Sequence, residues 1–142
     1  KSIPTEECEL LLQQNYIGHL AYVYQHRPFV VPITYFYKDA KIICYSNDGH
    51  KIKALRTNNA VALEVAEIGS VNNWQSAVAH GTYEELDGIT AKAMLHEFSL
   101  GVKDVVKDLD FIREFSVKIE NGLIPIVFVI HVEEMTGKVR RE

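Results

Sequence analysis

The sequence has few cysteines and no excess of positive charge. Its 142 residues include only two cysteines, Cys8 and Cys44, which lie far apart and outside any CxxC pattern. Such a pair predicts free thiols in a reducing, cytoplasmic compartment rather than a disulfide framework. The formal net charge is −4, and no run of lysine and arginine is long enough to form the basic surface of a general nucleic-acid-binding protein. Nucleic acid is therefore not expected as a partner.

A long apolar segment is also missing. No apolar run approaches the roughly 18 residues that a membrane-spanning helix needs, and the N-terminal segment has the polar pattern of a helix start rather than that of a signal peptide. We therefore expect neither a membrane span nor a membrane partner.

Several common signatures of chemistry are absent. Gly49 is not part of a GxGxxG or GxxxxGK[ST] motif, and the six histidines lack the spacing of a zinc pair, so no metal site is expected. No serine or cysteine lies on a recognisable nucleophile turn, which disfavours covalent hydrolysis. The lack of a strong general base favours chemistry carried by a bound redox cofactor.

The residues that are present predict one mainly β domain over residues 1–142, because 47% hydrophobic content is enough for one buried core. Segments rich in β-branched and aromatic residues, some alternating with polar ones and the last fully apolar, predict six strands: Tyr16–Tyr24, Phe29–Tyr37, Lys41–Tyr45, Ala60–Ile68, Trp74–Glu85 and Ile126–Val132. Short turns join the first three into a meander, and Pro32 indicates a sheet edge or a bulge in the second. Together the strands predict a small antiparallel barrel, closed or partly closed, with inserted helices.

Helical spacing of apolar residues predicts the inserted helices. One spans Thr5–Asn15 with Thr5 as its N-cap, and a short one follows Gly49. A third spans Ile89–Leu100 with Thr90 as its cap, and a weaker pattern covers Asp104–Phe115.

The segment from Ala40 to Asn59, AKIICYSNDGHKIKALRTNN, combines a strand, a polar turn and the start of a helix. The first N–H groups of a helix lack intrahelical partners and carry the positive end of its dipole, so they favour a bound anion. Ser46, His50 and Lys51, with Arg56 as a further candidate, add a hydroxyl and cations at the same place, which suits a phosphate monoester. The alternative is a solvated turn before a surface helix.

Two other segments are candidates for contacts with a planar ligand. Main-chain groups beside a strand proline are free to meet a heterocycle, which makes Pro32, Ile33 and Thr34 a candidate wall. Trp74, Gln75 and Ser76 offer a stacking ring with amide and hydroxyl groups, although a single tryptophan is more often a core or interface anchor.

Three histidines, His19, His80 and His131, lie on predicted strands. Each is a candidate for a cofactor contact, but an imidazole on a strand most often forms a hydrogen bond with a neighbouring side chain.

Two runs are the most specific in the chain. They are the G-x-K-x-x-x-L-x-x-N run from Gly49 to Asn58 and the W-x-S-x-x-x-x-G run from Trp74 to Gly81. With the order of the strand segments between Thr5 and Lys138, they make the sequence resemble the pyridoxamine 5′-phosphate oxidase-like, FMN-binding split-barrel family. The resemblance is closest to its small flavin-nucleotide-binding branch, which includes nitroimidazole-resistance-like proteins.

This resemblance implies a six-stranded antiparallel split barrel that forms a homodimer, with FMN at the subunit interface. Ser46, His50 and Lys51 are then expected to hold the phosphate. Pro32, Ile33 and Thr34 are expected to line the edge of the isoalloxazine ring. Trp74, Gln75 and Ser76 are expected to approach the cofactor from its rim or from the neighbouring subunit.

The function implied by the resemblance is that of an FMN-dependent oxidoreductase or reductase acting on a small planar substrate, such as a nitroaromatic or quinone-like molecule. The chain has no match to the C-terminal arginine and histidine segment with which true pyridoxamine 5′-phosphate oxidases bind substrate, so vitamin B6 oxidation is not expected. Related branches bind a deazaflavin or haem. The alternative function is therefore a non-catalytic flavin- or haem-binding protein for storage or sensing.

Overall fold

The computed structural model describes every residue from Lys1 to Glu142 and contains six strands and four helices. The strands are β1 (Ile17–Tyr24), β2 (Arg27–Lys38), β3 (Lys41–Ser46), β4 (Ala60–Ser70), β5 (Asn73–Leu86) and β6 (Ile126–Arg141). The helices are α1 (Thr5–Gln13), α2 (His50–Thr57), α3 (Gly88–Val105) and α4 (Leu109–Glu120). No helix has both the length and the apolar character that crossing a membrane requires.

The six strands form a closed antiparallel barrel in the order β1-β2-β3-β6-β5-β4. Pairing between β1 and β4 closes the ring, with Leu20 opposite Leu63. The predicted six-stranded antiparallel split barrel is therefore confirmed.

The meander of β1, β2 and β3 is built on two tight turns. Each turn holds two residues at positive φ: Gln25 (50°), His26 (63°), Asp39 (51°) and Ala40 (60°). Two consecutive residues at positive φ match a type I′ turn, whose twist agrees with that of the strands it joins. The predicted meander is confirmed.

The first half of β2 pairs with β1 alone. Pro28 lies opposite Val23 and Pro32 opposite His19, whereas pairing with β3 begins only at Tyr35. A proline has no N–H to donate, so both prolines fit a stretch that has a partner strand on one side only. Of the alternatives that the sequence left open for Pro32, the structure shows the edge position.

Two apolar clusters lie on opposite sides of the sheet. The barrel interior is filled by strand side chains together with one face of each of the first two helices: Cys8, Leu11 and Leu12 from α1, and Ile52, Ala54 and Leu55 from α2. The second cluster lies outside the barrel, where Phe98 and Phe115 of α3 and α4 cover Ile43 of β3. Successive strand residues point to opposite faces, so β3 is covered on both.

The ends of three helices differ from the sequence prediction. The weaker helix predicted over Asp104–Phe115 is instead α4, which begins at Leu109 after its N-cap Asp108 and continues to Glu120. The N-cap of α1 is Pro4 and no side chain caps this helix, so the predicted role of Thr5 is wrong. Helix α3 begins at Gly88 after Asp87, which places Thr90 inside the helix rather than at its cap. It also continues to Val105, since burial of Val102 against the second cluster extends the apolar face beyond the predicted end.

Strand β6 is longer than predicted. It runs on from Val132 to Arg141, because it pairs with β5 along the whole length of that strand, from Val127 opposite Leu86 to Arg141 opposite Asn73. The second half of β6 is polar and has no local pattern that predicts a strand. Its strand structure depends on hydrogen bonds with β5, which is distant in sequence.

Candidate functional site

Two adjoining clefts meet at the junction of β3 and α2. The β2 cleft has a volume of about 350 Å³ and is lined by Pro32, Ile33, Thr34 and Ile17. The α2 cleft has a volume of about 280 Å³ and is lined by Ser46, Asn47, Lys118 and residues 123–125. Tyr45 and Lys51 line both clefts. The structure thus brings five of the sequence-predicted site residues together: Pro32, Ile33, Thr34, Ser46 and Lys51.

The start of α2 supplies backbone donors at this junction. The first helical hydrogen bond runs from the N–H of Lys53 to the carbonyl of Gly49 at 3.0 Å, and no side chain caps the helix. The N–H groups of His50, Lys51 and Ile52 therefore precede the helical ladder, at the positive end of the dipole. A Cβ built on Gly49 meets no atom within 4 Å, so the residue that precedes the helix is not crowded at that position.

Ser46 adds a buried hydroxyl. Its side chain is 7% exposed, and its Oγ donates to the carbonyl of Asn47 at 2.7 Å. The oxygen keeps its capacity to accept, and a hydroxyl can rotate to donate to another acceptor. Together with the ammonium of Lys51 and the free N–H groups, this donor set fits a phosphate.

The other cations of the segment make different contacts. Nδ1 of His50 lies 2.9 Å from the hydroxyl of Tyr22, and its ring packs against that of Phe29 with centroids 4.7 Å apart. Arg56 donates through two nitrogens to the carboxylate of Glu85, each at 2.8 Å. Lys51 is thus the cation of α2 that lines the clefts.

Trp74, Gln75 and Ser76 lie elsewhere in the chain. They lie at the beginning of β5, next to the turn of its hairpin with β4. Trp74 and Gln75 line a separate cleft there, of about 300 Å³. Nε2 of Gln75 donates to Oε1 of Glu67 at 2.8 Å. None of the three lines the β2 or α2 cleft, so the fold of this chain does not bring them to Lys51.

The strand histidines also lie outside both clefts. Nδ1 of His19 lies 3.5 Å from Oε1 of Glu64, and Nε2 of His131 lies 2.8 Å from Oε1 of Glu84. These two imidazoles are placed as partners of surface carboxylates.

Sequence reasoning missed two residues of the clefts, Tyr45 and Lys118. The ring of Tyr45 packs against Phe98 and Phe115, with centroids 5.3 and 5.0 Å away, and burial raises the pKa of its hydroxyl. The group therefore stays protonated at neutral pH and can donate a hydrogen bond. The position of Tyr45 beside Ser46 was a usable signal. Lys118 comes from α4 and had none, since only the packing of α4 brings it to β3.

Comparisons with known proteins agree with this architecture. The family model for pyridoxamine 5′-phosphate oxidase matches residues 4–139. An uncharacterized protein of Rhizobium meliloti is 30% identical over an alignment 146 residues long. The alignment covers 94% of this chain and 90% of that protein.

Two crystal structures are similar over almost the whole chain. An FAD-binding protein from Mesorhizobium loti is 29% identical with a TM-score of 0.78, covering 100% of this chain and 97% of its own. A protein from Bacteroides thetaiotaomicron, named for a proposed role in resistance to 5-nitroimidazole antibiotics, is 21% identical with a TM-score of 0.71, covering 98% and 87%. At 21% identity, the similarity to the Bacteroides protein shows a shared fold. The match of the family model to nearly all of the chain confirms the resemblance seen in the two sequence runs, and the protein belongs to the pyridoxamine 5′-phosphate oxidase family.

Proposed function

We propose that this protein binds a flavin through its FMN moiety and acts as a flavin-dependent oxidoreductase on a small planar substrate. The observation that carries the proposal is the meeting of two clefts at Lys51, one lined by a proline-containing strand and the other by phosphate-type donors. The relative from Mesorhizobium loti is an FAD-binding protein, and the FMN moiety is the part that FMN and FAD share.

The phosphate of the FMN moiety is assigned to the start of α2. The ammonium of Lys51 and the hydroxyl of Ser46 provide side-chain donors, while His50 contributes its backbone N–H at the first position of the helix. A phosphate near neutral pH carries close to two negative charges, and such a ligand is stabilised by several donors and a cation together.

The isoalloxazine ring is assigned to the β2 cleft. No strand pairs with Pro32, Ile33 or Thr34 on the side away from β1, so main-chain groups on that side are free to meet the polar edge of the ring. Ile33 and Ile17 add apolar surface to the cleft.

A homodimer would complete this cleft. Ile17 is 54% exposed in the wall of the β2 cleft, and Ile68 and Val71 are each 75% exposed near the tip of the β4–β5 hairpin. Exposed apolar surface of this kind favours association. We propose that the partner's hairpin covers the cleft and brings its Trp74, Gln75 and Ser76 to the rim of the flavin.

Electron transfer is the chemistry that a flavin supplies when bound. The chain's own part is to bind and orient the ring, since Tyr45 and Lys51 are the only titratable side chains in the β2 cleft. With no side-chain base at the ring, the reaction class favoured is reduction of an acceptor that stacks on the flavin, such as a quinone or a nitroaromatic compound.

Absorbance and reduction of the purified protein test this proposal. We expect flavin bands, bleaching by NADH or NADPH, and their return when menadione or a nitroimidazole is added. A Soret band without flavin would overturn the proposal in favour of haem. Bound flavin that neither nicotinamide nucleotide reduces would leave flavin binding in place and replace the enzyme with a storage or sensing protein.

The dimer has a separate test. Light scattering after size exclusion is expected to give twice the mass of the 16.2 kDa chain. The variant Ile68→Asp should lower that mass and weaken flavin retention together, whereas Leu109→Asp, on the exposed surface of α4, should change neither. A monomeric wild-type protein that retains flavin would contradict a shared site.

A further inference from the structure

A third and larger cavity lies between α3, α4 and the beginning of β6. We call it the α3–α4 cavity; its volume is about 680 Å³, and its walls include Lys92, Leu95, His96, Lys118, Ile119 and Ile124. This volume is within the range of roughly 300–1,000 Å³ that is typical of small-molecule sites. The FMN moiety as assigned above makes no use of it.

The α3–α4 cavity continues from the proposed phosphate site. It shares Lys118, Ile124 and Pro125 with the α2 cleft, which in turn shares Tyr45 and Lys51 with the β2 cleft. The three spaces therefore follow one another in the order β2 cleft, α2 cleft, α3–α4 cavity. With the ring in the first and the phosphate in the second, the third lies beyond the phosphate.

The lining suits a second phosphate joined to a flat base. Lys118 lines both the α2 cleft and the α3–α4 cavity, and Lys92 lines the cavity. A ligand that extends from the α2 cleft into the cavity therefore meets two ammonium groups. Leu95, Ile119 and Ile124 provide apolar surface for an aromatic ring.

Two carboxylates, Glu85 and Asp87, also line the cavity. Glu85 is neutralised by its paired hydrogen bonds from Arg56. Asp87 remains as an acceptor for a ribose hydroxyl or an exocyclic amine. A nucleoside monophosphate carries ribose hydroxyls, and adenine adds an exocyclic amine. The carboxylate of Asp87 is therefore compatible with such a ligand.

We infer that the α3–α4 cavity binds the adenylate half of FAD, so that FAD is held more tightly than FMN. This inference rests on the proposed flavin function and specifies its cofactor. A nicotinamide nucleotide is a less suitable occupant, because a donor confined beyond the phosphate lies at the end of the flavin remote from the ring it must reduce.

Titration of flavin-free protein with FMN and with FAD tests the inference. We expect the Kd for FAD to be lower by about tenfold or more, as for one or two added charge-assisted contacts. Lys92→Ala should raise the Kd for FAD by about fivefold to tenfold and leave that for FMN unchanged. The matched control is Lys103→Ala, which lies on the same helix, lines none of the three spaces and should change neither.

A second variant blocks the cavity instead of removing a charge. Ala91 is part of its wall, and Ala91→Phe should bring the Kd for FAD to that for FMN while FMN binding and the thermal unfolding midpoint stay unchanged. Equal binding of FMN and FAD, unaffected by Lys92→Ala, would overturn the inference and leave the flavin function standing. Failure of both flavins to bind would overturn the proposed function itself. An increase in the KM for NADH in Lys92→Ala, without a change in FAD affinity, would overturn the inference in favour of a donor site.

Discussion

The hydroxyl of Tyr22 lies 2.9 Å from Nδ1 of His50, and this contact directs the side chain of His50 away from that of its neighbour Lys51 at the start of α2. Successive residues of a helix point about 100° apart, so the contact that turns His50 toward Tyr22 leaves Lys51 facing the clefts. The aromatic rings of Phe29 and Tyr24, with centroids 4.7 and 5.2 Å from that of His50, hold the imidazole in place. The two residues are therefore expected to contribute differently to ligand binding.

Lys51→Ala is predicted to weaken FMN binding strongly. Loss of one charge-assisted hydrogen bond to a phosphate costs roughly 1.5–3 kcal/mol, which raises Kd about 10- to 100-fold, and adding Ser46→Ala should weaken binding further. Fluorescence titration of flavin-free protein measures the change. Lys53→Ala is the control, because the ammonium of Lys53 lies 5.8 Å from the centroid of the Tyr24 ring and lines neither cleft. Equal losses in the two variants would contradict the phosphate assignment.

His50→Ala is predicted to affect folding more than binding. Its imidazole contacts aromatic rings, and losing such packing costs about 1 kcal/mol, whereas the backbone N–H assigned to the phosphate remains. We expect the Kd for FMN to change by less than about threefold, an amount below 1 kcal/mol. Urea denaturation and the same titration give the two quantities. A loss of affinity as large as that of Lys51→Ala would show that the imidazole itself binds the ligand.

The stability of the protein is predicted to fall in acid through Glu85. Hydrogen bonds from Arg56, and secondarily from Tyr83, hold the pKa of this carboxyl below its usual range. Because the folded pKa is the lower one, the stabilisation is fully present above the unfolded-state pKa of about 4.3 and is lost as pH falls through the folded pKa.

Urea denaturation at roughly one-unit pH intervals between about pH 3 and pH 7, the range in which carboxyls titrate, checks this prediction. Glu85→Gln should remove part of the acid-induced loss. Glu120→Gln, an exposed position on α4, should leave the wild-type curve unchanged. Identical pH profiles for wild type and Glu85→Gln would show that the pair with Arg56 contributes nothing to folding.

Gly81→Ala is predicted to destabilise the barrel. A Cβ at this position overlaps the carbonyl oxygen of His131 and lies 2.9 Å from its carbonyl carbon, beside the register shift that follows His80 in β5. Backbone cannot move aside as a side chain does, so a cost of about 1–3 kcal/mol is expected. The control Gly49→Ala has open space and an extended φ of −163°, and should cost less than about 1 kcal/mol in a urea titration. Comparable losses would show that close packing at β6 is not the reason for the glycine.

Much of the barrel was predictable because its signals are local. Alternation or a continuous apolar run placed the strands, and Pro32 indicated an edge that the pairing of β2 with β1 alone explains. Helix ends were predicted less well, since Thr5 and Thr90 have the residue type of a cap but do not act as one. A cap depends on where the chain enters the helix, which packing against the barrel decides.

The sequence by itself determined the six strands, the short helix after Gly49 and the presence of a hydroxyl and an ammonium group at Ser46 and Lys51, because these depend on periodicity and on residues adjacent in the chain. Only the tertiary structure decided that His50 turns to Tyr22, that Arg56 pairs with Glu85, and that Trp74 lies outside both clefts. It also decided that Lys118 of α4 joins the site and that a larger cavity continues beyond it. Contacts between residues far apart in sequence arise from the closure of the barrel and the packing of α3 and α4, and no local pattern records them.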